Sequence, residues 1–292
     1  MATIIGGIGS SHAPSLAHAY DRKLGEQPEW KPLFDGYLPA RDWLAAAKPD
    51  VIVVFYNDHL NRFFFDAYPT FAIGTGAHLP LADEGWGKRP FPDMRGHPAL
   101  AWHIARSMIE DEFDLTVCQE MEVDHGILSP MPFLCEVERA GWPAPVIPIA
   151  INVIQHPVPS ARRCFKLGRA LRRAVETFPA RLRVVVMGTG GLSHQLNGKR
   201  FGFMNPQWDN EFMDTLAVDP ERLAALATRD FMERGGVESV EMIIWLAMRG
   251  ALGERVRTLH RNYFAPLLTG YGLMVMEEAP VAEAWRQQYT ES

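Results

Sequence analysis

The stretch Val51-Ile52-Val53-Val54-Phe55-Tyr56-Asn57-Asp58-His59 reads as a β-strand that is apolar without interruption and then ends abruptly on polar residues. A strand wetted on one face alternates apolar and polar side chains. A continuous apolar run means that both faces are covered, as in a sheet lying between helices. Two other stretches have the same form. Residues 2–8 are apolar and β-branched and break at Gly9-Ser10-Ser11-His12, and Leu182-Arg183-Val184-Val185-Val186-Met187 ends at Gly188 and leads to His194. Further strands are expected at 114–119, 145–152 and 271–277, and helices at 40–48, 98–112, 159–177, 206–217, 219–228 and 237–249. This alternation predicts an α/β fold: a single domain over 1–280 with a central mixed β-sheet flanked by helices, followed by a C-terminal tail over 281–292. Residues 66–97 are rich in Gly and Pro and are expected to form a functional loop or lid.

The chain has 292 residues, 47% of them hydrophobic, with a net charge of −6. That length fits one large domain. An acidic chain without Lys/Arg runs predicts no nucleic-acid partner. Arg162, Arg163, Lys166, Arg169, Arg172 and Arg173 fall where the solvated face of one amphipathic helix should lie. Cys118, Cys135 and Cys164 are three in number and form no CxxC pair, which argues against a disulfide framework and a structural zinc knot. The N-terminus Met1-Ala2-Thr3-Ile4-Ile5 has neither the basic nor the long apolar segment of a signal peptide, and no apolar run approaches the roughly 20 residues of a membrane span. A cytoplasmic protein is the expectation.

His12, His59 and His194 each stand just beyond the end of an apolar strand. In open α/β sheets the carboxyl ends of the strands form the ligand crevice, so three strand ends can bring together histidines that are distant in sequence. Two histidines and one carboxylate suit a mononuclear non-haem Fe(II) that must keep positions open, and a further histidine would accept protons. Val237-Glu238-Ser239-Val240-Glu241 offers two carboxylates at a helix start. Their plain reading is favourable charge in the first turn. Glu241, however, borders the apolar run Met242-Ile243-Ile244-Trp245-Leu246, where a carboxylate is costly unless paired or metal-bound, and it is the preferred ligand. Asp124-His125-Gly126 reads either as a turn or as a second active-site histidine. His18, His78, His97, His103, His156 and His260 lack such a context and are assigned structural places.

Taken together, these segments resemble the catalytic β-subunit type of protocatechuate 4,5-dioxygenase and the related gallate and methylgallate dioxygenases, class III extradiol ring-cleaving enzymes. The resemblance runs from about residue 3 to 277. It rests on Ser11-His12-x-Pro14, Tyr56-Asn57-Asp58-His59, Ala82-Asp83-Glu84-Gly85-Trp86-Gly87, Asp124-His125-Gly126, Gly188-Thr189-Gly190-Gly191-x-Ser193-His194-Gln195 and Trp245-Leu246-x-Met248-Arg249-Gly250-Ala251-Leu252. It implies Fe(2+) held by His12, His59 and Glu241, with His194 as catalytic acid/base and His125 as a second active-site histidine that is both catalytic and substrate-binding. Asn57 and Thr269 are assigned to substrate binding. The implied reaction is O2-dependent meta-cleavage of a catecholic aromatic acid such as protocatechuate, gallate or 3-O-methylgallate.

Two departures bear on substrate and partners. Pro266 is followed by Leu267-Leu268-Thr269, where the protocatechuate type carries a Ser-Asn pair, and this resembles the gallate-type branch, as do Lys199-Arg200-Phe201-Gly202 and Leu259-His260-Arg261-Asn262. Gallate-type enzymes usually carry a fused C-terminal domain, whereas this sequence ends at Ser292. The expectation is that the part of the site which that domain provides comes from a separate small α-type subunit or a second copy of the chain, or is absent. Two competing readings are a non-catalytic metal-binding or interaction protein on the same scaffold, and a serine hydrolase built on Gly191-Leu192-Ser193-His194.

Overall fold

The computed structural model describes residues 1–279. The predicted tail over 281–292 lies outside them. Among the described residues there are ten strands: β1 (Thr3–Ser10), β2 (Val51–Tyr56), β3 (Phe71–Gly74), β4 (His78–Leu79), β5 (Met94–Arg95), β6 (Thr116–Cys118), β7 (Val146–Ile151), β8 (Arg183–Thr189), β9 (Val256–Phe264) and β10 (Tyr271–Glu278). The helices are α1 (Pro14–Asp21), α2 (Lys31–Ala47), α3 (Pro98–Glu110), α4 (His125–Leu128), α5 (Val137–Ala140), α6 (Ala161–Thr177), α7 (Pro206–Val218), α8 (Pro220–Ala224), α9 (Thr228–Gly235) and α10 (Met242–Ala251).

Eight strands form one sheet in the order β6-β3-β7-β2-β8-β1-β10-β9, and β4 pairs with β5 in a small separate hairpin. The central pairs β7–β2, β2–β8 and β8–β1 are parallel, while β3–β7, β1–β10 and β10–β9 are antiparallel. The sheet is therefore mixed, as expected. Every residue of β2 and β7 is buried. The apolar core is split by the sheet into two layers, one around α3, α6 and α10, the other around α1, α2 and the 121–134 segment.

Several elements depart from expectation. Helix α2 begins at Lys31, a full nine residues before the expected start at 40, and runs through Pro39. Its buried Leu33, Tyr37, Ala40 and Leu44 keep helical spacing, which packing rewards despite the proline. The 66–97 segment carries β3 and the β4–β5 hairpin of its own. Edge strand β9 was not foreseen, because its residues are mostly half-exposed and polar. The expected helix over 237–249 is a 3-10 turn over Val237–Glu241 that continues into α10. The cationic face of α6 is solvent-directed, and its arginines meet acids: Arg163 pairs with Asp114, Arg169 with Glu221, Arg172 with Glu176 and Glu278, and Arg173 with Asp111.

Candidate active site

β2, β8 and β1 are neighbours in the sheet and parallel, so their carboxyl ends share one edge. His12 follows β1, His59 follows β2, and the loop to His194 follows β8. The 3-10 turn that precedes α10 brings Glu241 to the same edge. One donor atom from each of His12, His59 and Glu241 lies within 4.8 Å of the others. Three elements far apart in sequence thus supply one cluster, and the loop after β8 brings His194 to the same edge.

His12 is 2% exposed. Its Nδ1 lies 2.9 Å from the Thr189 hydroxyl at the end of β8. Its Nε2 lies 3.2 Å from Glu241 Oε2, yet among the described residues it finds no hydrogen-bond partner, and it is buried. A buried polar atom left without a partner is costly, and such atoms in native proteins mark an absent ligand or a strained site. Burial also pushes the His12 imidazole down from its usual pKa, against the pull of Glu241, and so favours the neutral form that a metal requires.

His59 is held by Asp124. One carboxylate oxygen accepts both its backbone N–H at 2.7 Å and its Nδ1–H at 3.1 Å. Its other nitrogen, Nε2, faces the cluster, 2.9 Å from the Asn57 amide nitrogen and 3.9 Å from Glu241 Oε1. Burial pushes the His59 pKa down, but the Asp124 and Glu241 carboxylates outweigh it and raise the value to about 10. Asp58 braces the turn beyond it, accepting the N–H groups of Asn61, Arg62 and Phe63. Glu241 is buried and accepts the Gly191 N–H at 2.5 Å. Burial alone would raise its pKa, yet His12, His59 and His194 hold it well below the carboxylate range. Glu238, the other carboxylate of the turn, accepts the Leu196 N–H instead and takes no part in the cluster.

A second grouping, His59, Asp124 and His125, also has ligand-like spacing. Asp124 is already committed, however: one oxygen to His59 and the other to the Gly126 N–H at 2.9 Å, as the cap of α4. It supports His59 in the way that outer carboxylates orient ligating histidines. The donor set with an orphaned nitrogen is the first one, and two imidazoles with one carboxylate is the chemistry that non-haem Fe(II) takes.

The remaining histidines flank the cluster. His125 stacks on His59 at 3.7 Å between ring centroids and stands 6.0 Å from the His12 ring. His194 is buried, and its Nδ1–H donates to the Leu192 carbonyl at 2.8 Å, so that Nε2 is the unprotonated nitrogen. A Cβ at Gly191 would lie 2.5 Å from the His194 ring and 3.0 Å from Glu241 Oε2, so only glycine lets these two groups close on one another. Thr269 pairs with His194 as an isolated antiparallel bridge and is buried beside it. Asn57 is fully buried against His59, and its amide oxygen has no partner.

Ser193 does not stand as a nucleophile. Its hydroxyl donates to Asp209 Oδ2 at 2.7 Å and accepts the Asn205 N–H at 2.7 Å, and the adjacent His194 turns its Nδ1 to a carbonyl. Asp209 also accepts from Ser193 N–H and from the Tyr263 hydroxyl, so this network anchors the 190–194 loop and gives no Ser–His pair. The serine-hydrolase expectation fails on that geometry.

A recess of about 270 Å³ opens beside His125, lined by Pro14, Ala17, His18, Glu84, Trp86 and Arg89, among others. It suits one small aromatic ring better than a larger ligand. A larger groove of about 560 Å³ lined by Arg62, Cys118 and Glu120 includes no histidine of the cluster's surroundings, whereas the recess includes His125; His12, His59 and His194 line neither. Sequence reading missed Thr189, the orienting role of Asp124, Glu84 and the recess position of His18. The signal for Asp124 was its place directly before His125. His18 follows His12 by six residues on the helix that Pro14 starts, but that helix was not foreseen.

A family model described as the catalytic LigB subunit of aromatic ring-opening dioxygenase matches residues 6–274. Gallate dioxygenase of Pseudomonas putida is 43% identical over 213 residues, covering 71% of this chain and 62% of that protein. The chain therefore spans less than two thirds of that relative. A 2,3-dihydroxyphenylpropionate/2,3-dihydroxicinnamic acid 1,2-dioxygenase of Klebsiella pneumoniae is 30% identical over 263 residues, 73% of this chain and 79% of that one. The crystal structure of an uncharacterized Escherichia coli K12 protein shares the fold with a TM-score of 0.56 at 15% identity, over 94% of this chain and 100% of that one. With this match spanning β1 to β10 and the same strand ends carrying the clustered donors, the chain belongs to the family of catalytic LigB subunits of aromatic ring-opening dioxygenases.

Proposed function

We propose that the chain is the catalytic part of an Fe(II)- and O2-dependent extradiol dioxygenase that cleaves a catecholic aromatic acid, with gallate and its methoxylated and dihydroxylated relatives as the substrate class. The observation that carries this reading is the orphaned His12 Nε2 facing His59 and Glu241, with two further histidines on either side. The likeness to gallate dioxygenase supports the substrate class.

In this reading His12, His59 and Glu241 hold the metal. When bound, divalent iron supplies Lewis acidity toward a chelating catechol and redox chemistry toward O2. His194 presents an unprotonated Nε2, fixed by the Leu192 carbonyl at its other nitrogen, and accepts the proton of a substrate hydroxyl. A histidine suits a group that must take a proton and later return it near neutral pH. His125 lines the recess and orients the second hydroxyl. Thr269, held to His194 through the backbone, contacts the ring substituent, and Asn57, beside His59 Nε2, binds substrate. A small α-type subunit or a second copy of the chain closes the mouth, and the protein works in the cytoplasm.

The test is oxygen uptake by protein reconstituted anaerobically with Fe2+, against gallate, 3-O-methylgallate, protocatechuate and 2,3-dihydroxyphenylpropionate. Expected is stoichiometric O2 consumption with a yellow ring-opened product from at least one of them. Iron-loaded protein that consumes no O2 with any of the four, alone or with a small α-type subunit, would overturn the reading.

A further inference from the structure

One carboxylate outside the donor cluster meets an active-site histidine with both of its oxygens. Glu84 Oε2 accepts the His125 backbone N–H at 2.9 Å, and Oε1 lies 2.5 Å from His125 Nδ1. The two side chains are 16% and 14% exposed, so water competes weakly for either. Glu84 is brought there by the base of its loop. Leu81 bridges Val123, Ala82 N–H donates to the Val123 carbonyl, and Val123 N–H donates to that of Pro80. Asp93 ties the same segment down by accepting the Leu81 N–H and pairing with His78. Beyond Glu84 the chain turns sharply: Asp83 accepts the N–H groups of Gly85 and Gly87, whose φ angles of +95° and +89° favour glycine.

Glu84 does more than complete the cap of α4: Asp124 accepts the Gly126 N–H, one Glu84 oxygen accepts the His125 N–H, and the other Glu84 oxygen reaches the His125 ring. The contact with Nδ1 has a further consequence. An ionised carboxylate only accepts hydrogen bonds, so Nδ1 carries a proton, and in the neutral ring Nε2 is the unprotonated nitrogen. The ring is also fixed in angle, stacked on His59.

We propose that Glu84 is a positioning residue: it locks His125 in the Nδ1–H tautomer, with Nε2 presented to the recess as the acceptor for a substrate hydroxyl. This rests on the dioxygenase reading and names the group that sets one of its histidines. It also ties the 80–97 loop to the chemistry, since any displacement of that loop withdraws the carboxylate from His125.

The tautomer is read directly in metal-free protein carrying 15N-labelled histidine, by long-range proton–nitrogen correlation, with His125 assigned from the spectrum of His125→Asn. Wild type is expected to show protonated Nδ1 and unprotonated Nε2. Glu84→Gln, with one acceptor oxygen for two donors, should show a mixture of tautomers, and Glu84→Asp should retain more of the wild-type form. In iron-loaded protein Glu84→Gln should lower kcat by about 10–100-fold, the usual cost of removing an orienting outer carboxylate. KM should change little, and Glu84→Asp should recover part of the rate. A wild-type spectrum with His125 protonated at Nε2 overturns the proposal whether or not any variant folds. So does a Glu84→Gln protein in which either the tautomer or kcat is unchanged. Loss of the dioxygenase reading is distinguishable, since wild type would then fail to turn over while its His125 tautomer stayed as described.

Discussion

At the scale of single residues, burial and hydrogen bonding separate groups that look alike in the sequence. Glu238 and Glu241 are three apart in one turn, yet only Glu241 faces His12 and His59, while Glu238 serves the Leu196 N–H. Glu241→Ala should therefore lower iron affinity by more than the about 10–100-fold typical of an outer-shell change, and Glu238→Ala should leave it near wild type. Iron content after anaerobic loading and gel filtration checks the pair, and the reverse order would reassign the ligand. His194 provides the contrasting case. With its Nδ1 committed to a carbonyl it has one nitrogen to offer, which the proposed function gives to the proton rather than the metal. His194→Ala should keep its iron and lose kcat by about 10²–10⁴-fold, the range for a removed general acid/base.

At the scale of elements, α6 and α10 approach closely enough for backbone to touch backbone. A Cβ on Gly250 would lie 2.2 Å from the Phe165 carbonyl oxygen, and one on Gly168 would lie 2.0 Å from that of Ala247. Helix propensity alone favours Gly→Ala by about 1 kcal/mol in a helix interior. Overpacking costs about 1–3 kcal/mol, and more where the obstacle is backbone that cannot turn aside. Contact wins, so Gly168→Ala and Gly250→Ala should each lower the urea midpoint with the slope unchanged, and a raised midpoint would show that the helices can separate. The same scale shows what the sequence disclosed. Strands β1, β2 and β8 were legible because residues buried on both faces leave an unbroken apolar run. Edge strand β9 was not, because exposed and half-exposed residues such as Arg257, His260 and Arg261 carry no such signature. The start of α2 was hidden by Pro32 and Pro39, although proline is tolerated in the first turn and the buried stripe continues through it.

At the scale of the whole molecule, the site is assembled from the ends of β1 and β2 and the turn before α10, with residues 12, 59 and 241 held to one another by few direct bonds. The histidines were legible from their place after strands, but their supports were not: Asp124 lies 65 residues from His59, and Thr189 lies 177 residues from His12. No local pattern records such pairings, which exist only once the sheet has ordered its strands. The same separation would make a metal bound there, as the proposed function has it, a link between distant parts of the chain. A cation bound to three donors in the folded protein, and to none in that arrangement when unfolded, stabilises the fold by about 2.7 kcal/mol at a hundred times its dissociation constant. Fe2+ added anaerobically should therefore raise Tm by several degrees in the wild-type chain, and progressively more as its concentration rises. Glu241→Ala should lose the increment, whereas His194→Ala should retain it, because only the first removes a donor. Equal increments in all three proteins would mean that the cation binds elsewhere, and the cluster at the strand ends would then need another occupant.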